Sequence, residues 1–450
     1  MSGRLETPPA GLALLGTLLI ALTLAALALH VPGADTVGTP LRAQVFVGVL
    51  AISVAVYFLA VRRVLRTPCR RAVWFVIAIA VLLRLLLLPS VPFLSSDIYR
   101  YVWDGQVQAA GINPYRHVPA DPALSFLRDP AVFPLINRAD YAHTIYPPAA
   151  QLFFAAVGQV TTTVTGMKAA MLLCDGLAIA CLLRLLTLSG LPRERVLIYA
   201  WNPLVLWSFA CDGHVDAVAV GLLALALLAR ARHRDGLAGA FLAAATLVKF
   251  LPIVVAPAFL RGGWLWRQVL TGAAVIAALY LPYLSVGTQV LGFLPAYGAE
   301  EGFATGQGFW LLAGLSHLVP LPVSAAWGYA LSVGIVFSAL SLWIATRHPP
   351  TGASVPVTLC RDAGILAACA TVAASPHYAW YYAWLALPAT VSPSPAVIWL
   401  SAAPVLFYID PFNERFAWPS LVFVPALALA LRAGLRDQSV PIAVSPRGAS

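Results

Sequence analysis

The sequence predicts an all-α, polytopic membrane protein, and three observations carry that prediction. Sixty per cent of the 450 residues are hydrophobic and only 10% are charged, where a soluble domain carries about a quarter charged residues. Apolar runs recur along the chain, and at about 20 apolar residues per crossing the composition suffices for roughly 13 spans. The remaining charge is lopsided: 26 Arg accompany only two lysines, Lys168 and Lys249. In a membrane protein such an excess orients cytoplasmic loops, so the net charge of +10 is no footprint for nucleic acid. An aqueous globular enzyme and a disordered chain are excluded on the same composition.

The elements follow in order. Residues 11–31 form a first span, too long for a signal-peptide core and lacking a small-residue cleavage site. After a second run at 43–61, the connection 62–71 (RRVLRTPCRR) holds five Arg and is placed in the cytoplasm, together with the N-terminus. A third run at 72–90 delivers residues 91–144 to the outer face. This longest polar segment holds five of the 18 acidic residues: Asp97, Asp104, Asp121, Asp129 and Asp140.

Later basic clusters (Arg193/Arg195, Arg230/Arg232/Arg234, Arg261/Arg267, Arg347, Arg432/Arg436) stay on the inner side only if 145–165, 236–260 and roughly 308–322 do not each cross as simple spans. The run 236–260 carries Lys249 and Pro252, which suits a broken helix lining a cavity. Twelve to fourteen transmembrane helices are expected, with a cytoplasmic C-terminus. The organisation read is two N-terminal helices in 1–71, a membrane core in 72–395 with its outer loop 91–144, further helices in 396–434 and a tail in 435–450. The six cysteines show no CxxC spacing and read as small buried hydrophobes.

Chemistry concentrates where ionisable groups sit against apolar runs. In Ser95–Gln108, with Ser96 as N-cap, the positions Asp97, Arg100, Tyr101, Asp104 and Gln108 share one helical face. Ile98, Val102 and Gly105 form another. Gly111-Ile112-Asn113-Pro114-Tyr115 ends that helix by turn chemistry, and Tyr146-Pro147-Pro148 re-enters the apolar phase. Asp212, His214 and Asp216 lie between two apolar runs, where ionisable groups mark function by default. A D-x-H-x-D turn fits substrate positioning better than a metal site, for two carboxylates and one imidazole fall short of a ligand set. Lys249 in mid-run needs an anionic partner, either a carboxylate or a phosphate. His377 heads the aromatic run Tyr378, Trp380, Tyr381, Tyr382 and Trp384, and Arg415 follows Asp410 and Glu414 on the outer side.

Taken in order, S-D-I-Y-R-Y-V-W-D-G, G-I-N-P-Y, Y-P-P, D-G-H-V-D-A, L-V-K-F-L-P and S-P-H-Y-A-W resemble the GT-C superfamily of integral-membrane glycosyltransferases. More closely they resemble the family 87 enzymes described as polyprenol-phosphate-mannose-dependent mannosyltransferases. The resemblance covers roughly residues 72–395 and leaves the first two spans outside. It implies transfer of a hexose, mannose first, from a polyprenyl-phosphate-sugar donor to a lipid or glycan acceptor, on the outer face of a bacterial inner membrane. It implies Asp97 as general base, and no cofactor beyond a weakly linked divalent metal. Tyr99, Arg100, Asp104, Asn113, Tyr115, Tyr146, Asp212, His214, Asp216, Lys249, His377, Tyr378 and Arg415 are the expected substrate contacts, with Lys249, His377 and Arg415 nearest the leaving phosphate. A flippase for lipid-linked saccharides is the alternative. It would be expected to show matched broken helices in two halves, and only one Pro-interrupted run stands out.

Overall fold

The computed structural model describes residues 10–29, 40–261, 265–322, 324–348, 352–409 and 416–438. Among them the chain is helical without a strand, as a backbone that must satisfy itself inside a bilayer requires. Helices α1 (Ala10–Leu29), α2 (Pro40–Arg66) and α3 (Val73–Leu87) lead to α4 (Asp97–Ala109) and α5 (Pro148–Gly158). Helix α6 (Val164–Leu188) is followed by short turns and then α7 (Asp216–Ala231), α8 (Asp235–Thr246) and α9 (Leu265–Tyr280). Helices α10 (Ser324–Thr346), α11 (Val355–Ala374) and α12 (Ala417–Gln438) complete the bundle.

Fewer helices of spanning length are found than the twelve to fourteen expected. Among the described residues seven helices are long and apolar enough to cross a membrane, or eight if one bent pair counts as a span. The apolar runs were read correctly but many are divided. Helix α5 has 11 residues and α8 has 12, about 16–18 Å at 1.5 Å per residue, against about 30 Å of hydrocarbon. The helix at Trp310–Ser316 is shorter still. The runs at 145–165, 236–260 and 308–322 are among those divided into helices too short to span on their own, as is α3. The bent pair is Pro203–Cys211 with Asp216–Ala231, which turn by 120°. Among the described residues it is the one helix pair so sharply bent at a short break.

Buried polar pins hold the elements in register. Arg84 of α3 pairs through Nε with Asp175 of α6, and its Nη1 donates to the Ala80 and Ala200 carbonyls. The Tyr199 hydroxyl donates to the second Asp175 oxygen at 2.7 Å. Asn202 accepts from the Leu204 and Val205 amides, capping the short helix Pro203–Leu206, while its Nδ2 donates to the Ser401 carbonyl and hydroxyl. Near the opposite end of α6, Lys168 donates to the Leu87 and Ser90 carbonyls at 3.2 and 2.7 Å, satisfying the open C-terminus of α3.

Removing one partner of a buried pair leaves an uncompensated charge, which costs about 3–5 kcal/mol, whereas an apolar pair of similar volume is often neutral. Asp175→Ala should therefore lower the thermal unfolding midpoint in detergent sharply. The double replacement Arg84→Met with Asp175→Leu should recover most of that loss.

Candidate active site

Helix α4 carries the site's first carboxylate. Ser96 occupies the N-cap position but makes no capping bond. Its neighbour Ser95 accepts the Asp97 amide at 3.2 Å, while the Ser96 hydroxyl accepts from Asn137. The helix ends in a Schellman motif: Gly111 at φ +76°, with its N–H bonded to Gln108 and the Ile112 N–H to Val107. Against α5 the backbones touch: a Cβ on Gly105 would lie 2.6 Å from the Phe154 carbonyl, and one on Gly158 2.6 Å from the Gly105 carbonyl. The Gly105 face read from the sequence is thus the packing face. It sets the depth at which Asp97 is presented.

The second wall is the 120° bend. Asp212 accepts the Phe93 and Leu94 amides at 3.0 and 3.1 Å, tying the bend to the strap before α4. Gly213 follows at φ +65°, where a Cβ would meet Ile98 of α4 at 2.4 Å; only glycine suits both that conformation and that clearance. The turn then sets buried His214 with Nδ1 3.8 Å from Asp97 Oδ2 and opens α7 at Asp216. The third wall is the break after α8, where both Asp216 oxygens accept from Lys249 Nζ at 2.8 Å. The fourth comes from α11, whose left-handed cap residue Ser375 (φ +48°) turns the chain into the aromatic segment. There Trp380 stacks on His214 at 4.1 Å and Tyr378 on Trp380 at 4.7 Å. The Tyr381 ring lies under Lys249 Nζ at 3.7 Å, a cation–π contact. His377 pairs with Glu301 at 3.0 Å.

Asp97 itself is one-quarter exposed. Its Oδ1 accepts from Asn137 at 3.1 Å. Burial pushes the Asp97 carboxyl above its ordinary range, opposed by the Asn137 bond and the Lys249 charge, with Asp216 pushing the same way as burial. A carboxylate so placed is a better base than a free one. His214 is buried with both ring nitrogens unpartnered by protein.

Asp97, His214, Asp216, Lys249, His377 and Tyr378 thus gather around one cleft. Tyr146 packs edge-on to Tyr101 at 4.9 Å behind Asp97. Arg100 and Asp104 do not join them. Asp104 is 1% exposed, held by Arg100 at 2.8 Å, Thr144 at 2.6 Å and Gln151 at 2.7 Å, so it braces α4 against α5. Asn113 makes a local turn to the Tyr115 amide, and the Tyr115 hydroxyl donates to the Tyr146 carbonyl. Tyr99 is buried near Asp212, and Asp212 serves the backbone. Arg415 lies outside the described residues. The D-x-H-x-D side chains turn to three different partners and form no ligand set. Among the described residues no group of three or more His, Cys, Asp or Glu is placed to hold a metal ion.

Sequence reasoning missed Asn137, Glu301 and the pairing role of Tyr381. Asn137 and Glu301 lie in polar loops with nothing to distinguish them from solvated residues. Tyr381 was visible only as one of several aromatics. Lys168 and Asp175 did carry a signal, as charges inside an apolar run, yet their work is structural.

A multi-pass helical bundle with a partly open carboxylate, a lysine and two imidazoles on an aromatic floor has the character of an integral-membrane glycosyltransferase, the class the motifs resemble. Comparison with known proteins agrees. The family model described as alpha-(1->6)-mannopyranosyltransferase, N-terminal domain, matches residues 14–268, more than half of the chain, and the chain belongs to that family. It is therefore a glycosyltransferase that transfers a mannosyl group. The match takes in α1 and α2, which the motif resemblance had left outside. No curated protein and no solved structure matches the chain.

The α4–α5 contact gives a test of site placement. Gly105→Ala must push α4 away from α5, and a displacement of about 1 Å at a reacting group costs on the order of 100-fold in rate. Mannosyl transfer should fall by about that factor while the helical circular dichroism signal is retained.

Proposed function

We propose that the chain moves a mannosyl residue from a polyprenyl-phosphate-linked donor to a hydroxyl of a lipid or glycan acceptor, forming an α(1→6) linkage on the outer face of a bacterial inner membrane. Asp97 is the general base. The observation that carries this reading is its position: a carboxylate raised in basicity by burial, open on one side, facing the Asp216–Lys249 pair across His214.

Asp97 removes the proton of the acceptor hydroxyl as that oxygen attacks the anomeric carbon. The bond from the anomeric carbon to the phosphate oxygen breaks, and the polyprenyl phosphate leaves with the electron pair. The proton stays on Asp97 and passes to water after product departs. Inversion at the anomeric carbon turns a β-linked donor into the α-linked product that the family description names. The leaving phosphate gathers charge and needs cations and donors already in place. Lys249 supplies the cation, its position held by Asp216 and Tyr381, and His377 lies at the head of the same aromatic segment. His214, desolvated and unpartnered by protein, is suited to a sugar hydroxyl, since a buried polar group left unmatched is costly.

A shallow, mostly apolar depression adjoins the pair, lined by Ala219, Val220, Leu223, Leu251, Pro252 and Trp384 together with Asp216 and Lys249.

Two measurements test the reading. With membranes or purified protein, radiolabelled polyprenyl-phosphate-mannose should serve as donor and a nucleotide sugar should not; the opposite preference would sink the donor assignment. Asp97→Asn should lower transfer by about 10²–10⁴-fold, the range for loss of a general base. The sign of the pH effect follows from the raised pKa. Asp97 stays protonated, and inactive as a base, to a higher pH than a free carboxyl at about 3.9. Activity should therefore be lost as pH falls through that raised value, and the residual activity of Asp97→Asn should lack this acid limb.

A further inference from the structure

We infer that a cluster of arginines at the end of the bundle remote from the Asp97 cleft binds the phosphate group of an anionic phospholipid. The inference is independent of the transferase reading. Asp362 of α11, with a side chain 1% exposed, receives Arg261, Arg347 and Arg361 together. Arg230 at the end of α7 adjoins them: it lies 3.3 Å from Asp235 and donates to the Phe259 and Arg261 carbonyls. Four guanidiniums thus face two carboxylates, leaving two positive charges uncompensated within the cluster. Among the described residues Arg347 Nε is buried with no acceptor, while the Arg361 side chain is 37% exposed. Like charges crowded in a low-dielectric setting repel strongly, and a phosphate oxygen pair is the anion that matches the guanidinium fork.

The location argues for a lipid rather than a dissolved anion. Arg230 stands 14 residues along α7 from Asp216, and Asp362 lies 13 residues before Ser375. Either count is about 20 Å at the helical rise, so the cluster belongs to the opposite leaflet from the cleft. Two half-exposed tryptophans mark headgroup depth there: Arg347 lies over the Trp343 ring at 4.0 Å and Arg267 over Trp266 at 5.2 Å. Beside them α10 presents an apolar outer surface including Ile335, Val336 and Leu342, each more than 60% exposed, along which acyl chains can lie. Orientation of the protein in its membrane needs basic residues in loops. It does not need three of them on one buried carboxylate.

Native mass spectrometry of the full chain, titrated in detergent with phosphatidylglycerol or phosphatidylcholine, tests the site. Wild type should bind the anionic lipid preferentially, and Arg361→Gln should weaken phosphatidylglycerol by about fivefold, the worth of one basic residue at a membrane surface, without affecting phosphatidylcholine. Arg361→Lys keeps the charge and should lose less than Arg361→Gln. Because Arg361 is the most exposed of the cluster, both variants should unfold at the wild-type temperature. Equal phosphatidylglycerol affinity in wild type and Arg361→Gln would overturn the inference. Complete displacement of the lipid by millimolar inorganic phosphate would overturn the lipid assignment in favour of a free-ion site.

Discussion

The ion pair between Lys249 and Asp216 is the contact on which the cleft depends. Each partner sits where a helix is interrupted: Asp216 at the start of α7, just after the 120° bend, and Lys249 just after α8 stops. Interrupted helices expose backbone groups and are stable inside a bilayer only where protein surrounds them or where they line a cavity. The pair joins the two interruptions at 2.8 Å through both carboxylate oxygens, so two locally unfavourable breaks become one supported wall. Asp212 supports the same bend from the other side by accepting two backbone amides, and Gly213 lets α4 approach it.

Two carboxylates inside the bundle are fully enclosed. Arg84 with Asp175 and Tyr199, and Arg100 with Asp104, Thr144 and Gln151, are enclosed networks whose carboxylate oxygens are all engaged. Such networks specify which helix meets which and offer nothing to a ligand. Asp97 and Lys249 are different. Asp97 keeps a quarter of its side chain open, and Lys249, though paired, borders a shallow depression and an aromatic face.

This distinction also explains what was legible in the sequence. The all-helical membrane class, the broken run around Lys249 and the helix Asp97–Ala109 with its glycine stop could be read directly, because hydropathy, Pro placement and turn chemistry are local properties. That Asp97, His214, Asp216, Lys249 and His377 belong together was approached through the order of motifs, which stands in for the tertiary contact that composition does not encode. The roles within the set were less accessible. Asp97 and Asp104 occupy the same face of one helix at a spacing of seven, yet one faces the cleft and the other is sealed against α5. Only the positions of Thr144 and Gln151, some 40 residues away, decide between them. The span count differed for a related reason: hydropathy registers an apolar run but not the tertiary support that lets the run break in the middle.

The arrangement of His214 bears on the proposed role of Asp97. Its ring is held flat by Trp380 at 4.1 Å and by the geometry of the Gly213 turn, so it cannot swing to find another acceptor or donor. Both nitrogens are buried without a protein partner, and Nδ1 stays 3.8 Å from Asp97, beyond hydrogen-bond length. Leaving a buried polar group unmatched costs about 1–3 kcal/mol. A hydroxyl placed between the imidazole and the carboxylate would relieve that cost while presenting its proton to Asp97, which is the geometry the proposed general base requires. Under that proposal the site would discriminate against ligands lacking the hydroxyl more strongly than an apolar pocket discriminates by size, because the buried imidazole would then be left unmatched.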